Sequence, residues 1–403
     1  MASERLYRTN QYSISNVAHV LEVAEVDGCD SIVCDASIFF PEGGGQPSDV
    51  GTVSKNDSIF NIIGARDNSL EDDVWHDTDA PAGTFSVGDE VELTIDWDKR
   101  FCNMQRHLGE HMLSGTFHNL FGGVNKGFHM GESYITIDID LDGRMLDDEE
   151  LDLVEKTVND AIWADLPVDI SYFDNYEASL VMPVRKQVPH DGEVSVVTVG
   201  DVADPYDCIA CCGTHPSSSG QVGLLTIYKH EPNKGMNRIY FDCGVMAKEH
   251  LSQDSKLLNE IANRNSCSTD DLLRKLEIAD ETTKELRAQM AKMTTYIREA
   301  ERKVISDELE KSASVMYELD MISVDDVLKL GFSAIEGTEG KLLILLHEQT
   351  HTALLFSSGE QKCGAVVKEH VAKYGGKGGG RDDNARAIFT TTKDMKEFAR
   401  AIL

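Results

Sequence analysis

The sequence is short of basic residues, because 38 Lys and Arg stand against 70 Asp and Glu in 403 residues, a formal net charge of −32. Proteins that bind nucleic acid over their whole surface neutralise phosphates with Lys and Arg, so this balance argues against that class. The chain also lacks any apolar run approaching the roughly 18–20 residues that a membrane-spanning helix needs. No internal repeat at a fixed period is visible. These features favour an ordinary globular protein without a membrane partner.

We do not expect a secretory signal, since the first residues, MASERLYRTNQYSIS, contain no apolar core or cleavage-like site. Nine cysteines, an odd number spread along a long chain, favour reduced thiols inside a cell. We therefore expect a cytoplasmic protein. The charge is not uniform along the chain, because from Gln361 onwards nine Lys and Arg stand against five Asp and Glu.

Changes of pattern predict an α+β fold in four parts. Residues 1–97 are β-rich and contain the glycine-rich stretch PEGGGQPSDVG. Residues 98–246 combine a helix that stops at Gly122-Gly123 with several strands and a second amphipathic helix. Residues 247–319 are helical, and residues 320–403 return to an α/β pattern. The length of the chain leaves room for several domains of this kind.

The helical part carries a heptad pattern of apolar residues from Leu272 to Val304. Thr283 and two alanines weaken the pattern, which favours packing within one chain. The segment HLSQDSKLLNEIANR, just upstream, is the obvious partner for an antiparallel hairpin. A coiled coil of two chains is the alternative, so a homodimer through the helical or the C-terminal region stays open.

The stretch RHLGEHMLSG, residues 106–115, places two histidines four residues apart on a predicted helix. Side chains at i and i+4 share one face, with Cβ atoms about 5–6 Å apart, so His107 and His111 can reach the same ion. Glu110 lies between them, which also gives the H-x-x-E-H pattern of inverted zincin peptidases.

A second candidate group of ligands lies in CCGTHP, where Cys211 precedes His215 by four residues across a Gly-Thr turn. Thiolate and imidazole together suit Zn²⁺ in a reducing compartment. Two other pairings compete, Cys208 with Cys211 and Cys212 with His215, but a zinc knuckle needs a second pair that the chain does not offer. We favour one Zn²⁺ per chain, bound by His107, His111, Cys211 and His215. Four protein ligands leave open whether the ion is catalytic or structural.

Five motifs occur in an order that resembles the alanyl-tRNA editing proteins, the AlaX family, and the editing and C-terminal domains of alanyl-tRNA synthetase. They are FFPEGGGQPSDVG, MQRHLGEHMLSG, CCGTHP, NRIYF and YGGKGGGRDDNARA. The last is similar to the segment that marks the long form of the editing protein. The resemblance implies the same four zinc ligands and a hydrolase that deacylates mischarged tRNA(Ala), chiefly seryl-tRNA(Ala), with glycine as a further candidate. It would act in trans, because the chain has no room for an aminoacylation core.

The glycine run supplies further candidate residues. We assign Gly43, Gly44 and Gly45 to substrate binding, because only glycine lets the backbone come so close to an ester or a terminal adenosine. Gln46 is assigned to catalysis, and the alternative for the whole run is a plain tight turn. Where the family usually has Thr, this chain has Ser37, which keeps a hydroxyl for a serine substrate but loses a packing methyl group. Rejection of alanine is therefore expected to be looser.

Three charged residues complete the predicted site. Glu110 stands where the family usually has an amide, and it is either a general base or a group that orients a histidine ligand. Lys377 and Arg381 lie in the second glycine-rich segment, predicted to be a loop, and we assign them to tRNA binding.

Four other functions remain open. A metallopeptidase would use the same helix but leaves CCGTHP and the glycine run unexplained. Peptide release factors share a Gly-Gly-Gln triplet but lack the zinc cluster. A non-catalytic, zinc-stabilised RNA-binding protein needs no chemistry at all. Editing of another seryl-tRNA, such as seryl-tRNA(Thr), is the nearest alternative, because the editing module of threonyl-tRNA synthetase shares both metal motifs.

Overall fold

The computed structural model describes residues 3–68, 73–187 and 192–403. The chain forms two compact units, Met1–Leu258 and Asn259–Leu403. The predicted α+β class is confirmed, with a β-rich N-terminal part and a long helix further along. In the three described ranges, no helix combines the length and the apolar character needed to cross a membrane. The finer division of the chain into four domains stays a prediction.

The N-terminal part is a closed barrel of six antiparallel strands. Its elements are β1 (Glu4–Arg5), α1 (Leu6–Thr9), β2 (Ser15–Val26), β3 (Cys29–Cys34), β4 (Ala36–Ser37), β5 (Gly51–Lys55), β6 (Ser58–Asn68), β7 (Asp73–Pro81) and β8 (Glu90–Ile95). The order around the barrel is β2-β3-β7-β6-β5-β8, and β1 pairs with β4 beside it. In β8, Val91, Leu93 and Ile95 are buried while Glu90 and Glu92 are exposed. This alternation of apolar and polar residues fills the barrel interior.

Helix α2 (Trp97–Phe121) carries the predicted histidine pair and starts one residue before the predicted start. The side chain of Asp96 caps it by accepting the Lys99 N–H. It ends where Gly122 adopts a φ of 69°, a left-handed conformation that favours glycine. Residues 103–117 are buried throughout, so this helix is a central element of the first unit.

Two sheets surround that helix. The remaining elements of this part are β9 (Val124–Met130), β10 (Ile135–Asp140), α3 (Asp148–Trp163), β11 (Val168–Phe173), α4 (Tyr176–Ser179), β12 (Val194–Asp201), β13 (Asp204–Ala210), β14 (Leu225–Asn233) and β15 (Met236–Cys243). One sheet has the order β14-β15-β10-β9 and the other β11-β12-β13. Both helices, α2 and α3, share one hydrophobic core with these strands. This core holds α2 in a fixed position. The segment that follows β13 lies beside the helix and can complete a site with it.

The second unit is built on a five-stranded sheet. The elements from the end of β15 onwards are α5 (Gly244–Arg264), α6 (Leu272–Lys311), β16 (Ser314–Glu318), α7 (Val324–Ile335), β17 (Leu342–His347), β18 (Thr352–Ser357), α8 (Cys363–His370), β19 (Lys377–Gly380), β20 (Asn384–Ile388) and α9 (Thr392–Ile402). The sheet order is β16-β17-β18-β20-β19. Strands β17 and β18 are buried along their whole length, because helices cover both faces of the sheet.

The heptad positions in the middle of α6 stay exposed on the single chain. Leu276 is 39% exposed, Leu286 54%, Met290 67% and Met293 62%. The two helices of the predicted hairpin, α5 and α6, are joined by a short connection, residues 265–271. The described residues of α5 do not cover the apolar side chains in the middle of α6. The choice between a hairpin and a coiled coil of two chains therefore stays open.

The second glycine-rich segment differs from the predicted loop. Lys377–Gly380 forms the edge strand β19, paired with β20. A Cβ atom added at Gly378 or at Gly380 would lie 2.3 Å from a backbone oxygen of β20, so glycine is required by this close approach of two strands. The side chains of Lys377 and Arg381 are exposed.

Candidate metal centre

The structure brings the four predicted ligands together. His107 and His111 come from consecutive turns of α2, and Cys211 and His215 from the segment after β13. Their ligand atoms all lie within 4.8 Å of one another, and His107 Nε2 is 3.4 Å from Cys211 Sγ. Zinc bonds of ~2.0–2.3 Å in tetrahedral geometry place ligand atoms roughly 3.3–3.6 Å apart. The cluster is therefore close to the arrangement that one ion requires.

The protonation states of the histidines suit metal binding. Burial lowers the pKa of His107 to about 4, and burial also lowers the pKa of His111 and of His215 well below the usual value. The imidazoles are therefore neutral near pH 7, which is the form that binds metals. Burial raises the pKa of the Cys211 thiol, so metal binding at this residue releases a proton.

Polar atoms of the cluster that lack hydrogen-bond partners are further evidence that the site fits a metal ion. Both ring nitrogens of His215 are buried and, among the described residues, have no hydrogen-bond partner. Buried polar atoms are normally paired, because an unpaired one costs free energy. An ion among the four donors satisfies one of these nitrogens, and three imidazoles with one thiolate are a donor set typical of Zn²⁺. The cluster can hold a metal ion of this kind.

Gln46 holds the first ligand in place. Its Oε1 accepts the Nδ1–H of His107 at 2.9 Å and the backbone N–H of Thr214 at 3.0 Å. Its Nε2 donates to Thr214 Oγ1 at 2.8 Å. Because the proton stays on Nδ1, the Nε2 of His107 that faces Cys211 is free to bind metal. The fully buried Gln46 side chain thus orients a ligand, and its catalytic role stays a prediction.

The first glycine run forms a tight turn next to Gln46. Gly43 and Gln46 exchange two backbone hydrogen bonds, at 3.1 and 2.9 Å. Between them, Gly44 has a φ of 59° and Gly45 a φ of 82°. Positive φ at both central residues defines a turn that nearly always needs glycine or asparagine. The two consecutive glycines, Gly44 and Gly45, therefore account for the formation of this turn.

This turn lies directly against the metal cluster. A Cβ atom at Gly44 would be 3.1 Å from Cys212 Sγ and 3.9 Å from His107 Cε1. A Cβ atom at Gly45 would be 2.5 Å from the ring of Phe128, which stacks on the His107 ring at 5.6 Å between centroids. Side chains at these positions would displace the walls of the cluster. The structure thus brings the glycine run to the cluster, and substrate binding by it remains a prediction.

Glu110 is buried with one oxygen occupied and the other close to a ligand. Its Oε1 accepts from Ser114 Oγ at 2.6 Å and from Asn125 Nδ2 at 2.8 Å. Its Oε2 lies 3.9 Å from His111 Nε2. Burial raises the pKa of Glu110, and the positive charge of Arg185 opposes this effect. Ser114 and Asn125 thus bind Oε1, and Oε2 is left to take a proton next to His111.

Sequence reasoning missed Asp207. Its Oδ2 lies 3.9 Å from His111 Nδ1, and both atoms are buried without a partner in the part of the chain that the structure describes. Arg185 Nε donates to the other oxygen at 2.6 Å, while burial raises the pKa of Asp207 to about 6. A carboxylate beside the distal nitrogen of a ligand histidine typically orients the ring. The one clue in the sequence was its position on the strand that leads to Cys211.

Ser37 is fully buried and takes part in a different network. Its Oγ lies 2.7 Å from His76 Nε2, and His76 Nδ1 lies 3.1 Å from the Ile32 carbonyl oxygen. A carbonyl only accepts, so Nδ1 carries the proton and the Ser37 hydroxyl donates to Nε2. The proton of the Ser37 hydroxyl is thus used in a hydrogen bond to His76 and cannot be donated to a substrate at the same time. The other predicted substrate contacts, Lys377 and Arg381, belong to the second unit.

Two family models match parts of this architecture. Residues 7–99, which include the barrel, match the class II (A) tRNA synthetases. Residues 194–240 match the second additional domain of threonyl and alanyl tRNA synthetases. The second match contains Cys211 and His215, so it covers half of the candidate ligand set.

Whole-chain comparisons point in the same direction. The chain is 27% identical to the alanyl-tRNA editing protein AlaX-L of Pyrococcus horikoshii, over 95% of this chain and 94% of that protein. It is 27% identical to the alanine–tRNA ligase of Methanobrevibacter smithii and 26% identical to that of Caldivirga maquilingensis. These two alignments cover 94% and 99% of this chain but 43% and 44% of the ligases, so the chain spans less than half of their length. The resemblance to AlaX-L and to alanyl-tRNA synthetase, predicted from the motifs, is confirmed.

Proposed function

We propose that this chain is an aminoacyl-tRNA hydrolase that deacylates mischarged tRNA(Ala) in trans, chiefly seryl-tRNA(Ala), with one bound Zn²⁺. The observation that carries the proposal is the buried cluster of three histidines and one cysteine with a glycine turn against it. Similarity to an alanyl-tRNA editing protein over 95% of the chain supports it. No aminoacylation is proposed, because the chain corresponds to less than half of each ligase.

Hydrolysis of an aminoacyl ester requires mainly that the protein position the ester and a water molecule. An aminoacyl ester is already activated, and a bound Zn²⁺ supplies either polarisation of its carbonyl or activation of a water molecule. We assign the Oε2 of Glu110, which lies 3.9 Å from His111 Nε2, to receive the proton of the attacking water. The two hydrogen bonds of the glycine turn use the N–H groups of Gly43 and Gln46. We assign the N–H groups of Gly44 and Gly45, for which the described contacts show no partner, to binding of the ester or the terminal adenosine.

Ser37 bears on which amino acid is removed from the tRNA. Ser37 replaces the usual threonine of the family and donates its proton to His76, so it offers an incoming serine hydroxyl only a lone pair. Alanine lacks the hydroxyl that would donate to this lone pair. Weaker rejection of alanine is expected because the methyl group of threonine is missing.

A second candidate function is supported by one observation. The model matching residues 194–240 describes threonyl as well as alanyl tRNA synthetases, so seryl-tRNA(Thr) is the competing substrate. The peptidase alternative is weakened by the ligand set, because Cys211 and His215 occupy the positions that a distant carboxylate would need.

The C-terminal unit is proposed to supply affinity for tRNA. Lys377 and Arg381 are exposed, and the stretch from Gln361 is locally basic on a chain of net charge −32. Such a local contact offsets the repulsion between the acidic body and tRNA. A homodimer through the exposed heptad residues of α6 remains a second proposal for this region.

A deacylation panel tests the proposed function. Purified chain is incubated with seryl-, glycyl- and alanyl-tRNA(Ala) and with seryl-tRNA(Thr), and the remaining ester is measured over time. We expect seryl-tRNA(Ala) to be hydrolysed fastest, and faster hydrolysis of seryl-tRNA(Thr) would favour the second candidate. Cys211→Ala should abolish the activity, whereas Cys212→Ala, which removes the neighbouring thiol outside the four-donor set, should not. Hydrolysis of none of the four esters would contradict the proposal.

A further inference from the structure

Helix α2 carries a buried arginine two turns before its first histidine ligand. The side chain of Arg100 is fully buried with Asp49, and its Nε donates to both carboxylate oxygens at 2.9 Å. Its Nη1 donates to the Gln11 carbonyl at 3.0 Å and its Nη2 to the Ile38 carbonyl at 2.6 Å. A buried ion pair is costly unless its remaining donors are satisfied. Arg100 meets that condition by binding two separate backbone segments.

Asp49 closes the loop that bears the glycine turn. Its Oδ2 accepts the Phe40 N–H at 2.7 Å, and its own N–H donates to the Phe40 carbonyl at 2.9 Å. Residues 40–49 therefore form a closed loop with its base at Asp49. The turn ending in Gln46 lies within this loop.

The loop contacts α2 at two points. Arg100 and His107 are seven residues apart, which places them on the same side of the helix and about 10 Å apart along its axis. The base of the loop is bound by Arg100, and Gln46 within it accepts a hydrogen bond from His107. The loop is thus fixed along the helix at both points, and the position of Gln46 depends on where the base is held.

The same arginine acts on a second ligand through Gln11. The Gln11 carbonyl accepts from Arg100, and the Gln11 side-chain Oε1 accepts the backbone N–H of His215 at 2.6 Å. Gln11 is buried, so this contact is shielded from water. His107 and His215 lie on different segments, and Arg100 binds both the loop that contains Gln46 and the backbone of Gln11.

We propose that Arg100 is a positioning residue for the metal centre. It fixes the base of the glycine-turn loop and the backbone of Gln11, and through them it orients His107 and His215 without touching either ligand. This inference rests on the proposed metal site and assigns part of its affinity to an ion pair outside the ligand set. These contacts use all three nitrogens of the planar guanidinium, an arrangement that lysine cannot supply although it keeps the charge.

Metal affinity of the full-length chain tests the inference. Zn²⁺ is titrated in competition with a chromophoric chelator into the parent and into Arg100→Lys, and circular dichroism checks that each protein is folded. We expect the affinity of Arg100→Lys to fall by about 10- to 100-fold, the scale for loss of a group that orients a ligand. The visible spectrum of the Co²⁺ form should change as well, because it reports ligand geometry. A merely structural role would leave the spectrum unaltered.

Arg106→Lys is the matched control. Arg106 lies on the same helix and forms another buried pair, with Asp242 at 2.8 and 3.0 Å, and it donates to the Gly131 carbonyl. It does not bind the glycine-turn loop or Gln11 in the described contacts. Loss of this pair should lower stability while leaving the Zn²⁺ affinity within a few-fold of the parent.

Gln11 provides a second pair of variants in case Arg100→Lys does not fold. Gln11→Met removes the oxygen that accepts the His215 N–H, and Gln11→Glu keeps one. We expect weaker Zn²⁺ binding for Gln11→Met and near-parental binding for Gln11→Glu. Parental affinity in both Arg100→Lys and Gln11→Met would overturn the inference while leaving the proposed function intact. A parent protein that binds no Zn²⁺ would overturn both.

Discussion

Replacing Gln46 by leucine separates ligand positioning from catalysis. The side chain is fully buried and makes three hydrogen bonds, with the His107 ring, the Thr214 N–H and the Thr214 hydroxyl. Leucine has a similar size but leaves two buried donors, the His107 Nδ1–H and the Thr214 N–H, without an acceptor. Each such loss costs about 1–3 kcal/mol, so the metal-free protein should lose about 2–6 kcal/mol of its free energy of unfolding. Zn²⁺ affinity should fall by about 10- to 100-fold, because the ring of a ligand is no longer oriented.

The assay combines denaturant unfolding of the metal-free protein with chelator competition for Zn²⁺. Gln46→Glu is the matched control, because a carboxylate still accepts from His107 and from the Thr214 N–H. It should keep an affinity close to that of the parent. If Gln46 also takes part in catalysis, the rate of Gln46→Leu will stay low even when Zn²⁺ occupancy is complete. Parental Zn²⁺ affinity in Gln46→Leu would refute the positioning argument.

Three further predictions follow from the same geometry. Cys211→Ala should lower the zinc content from about one ion per chain to nearly none, and unchanged zinc by metal analysis would exclude this ligand. Glu110→Gln should slow hydrolysis by about 10²–10⁴-fold with zinc retained if the carboxylate is the base, and a fully active variant would leave it a supporting role. Replacing Lys377 and Arg381 by glutamine should weaken tRNA binding in a filter assay and flatten its salt dependence by roughly 0.7–0.9 log units per lost phosphate contact. The rate at saturating tRNA should change much less, and unaltered tRNA affinity would remove these residues from the interface.

Local patterns were enough to place the helix and its histidine pair. The i, i+4 spacing of His107 and His111 fixes their common face whatever surrounds them. The ends of α2 are likewise set by neighbouring residues, an aspartate cap at Asp96 and a left-handed glycine at Gly122. Features that are set by neighbouring residues could therefore be derived from the sequence.

Contacts between distant segments could not be derived in this way. Gln46 and Thr214 are separated by 168 residues, and the sequence contains no local pattern that pairs them. Asp207 has the same difficulty, because its proximity to His111 results from the packing of β13 against α2. The positions of both groups follow only from the assembled core.

Composition was misleading where tertiary packing overrode it. The glycines of β19 suggested a loop, but they form an edge strand in which β20 approaches too closely for a side chain at Gly378 or Gly380. The heptad pattern of α6 identified an apolar face, and Met290 and Met293 on it are exposed on the single chain, so its partner stays open. A periodic pattern indicates which face is apolar and does not identify what covers it.

Deacylation by this chain is expected to depend on one ion, held by His107, His111, Cys211 and His215. The most direct measurement is a titration of metal-stripped chain with Zn²⁺, in which bound zinc and the initial rate of seryl-tRNA(Ala) hydrolysis are followed in the same samples. We predict that the stripped protein is folded but inactive, and that the rate rises in proportion to bound zinc up to about one ion per chain. Full hydrolysis by protein that contains no zinc would contradict it.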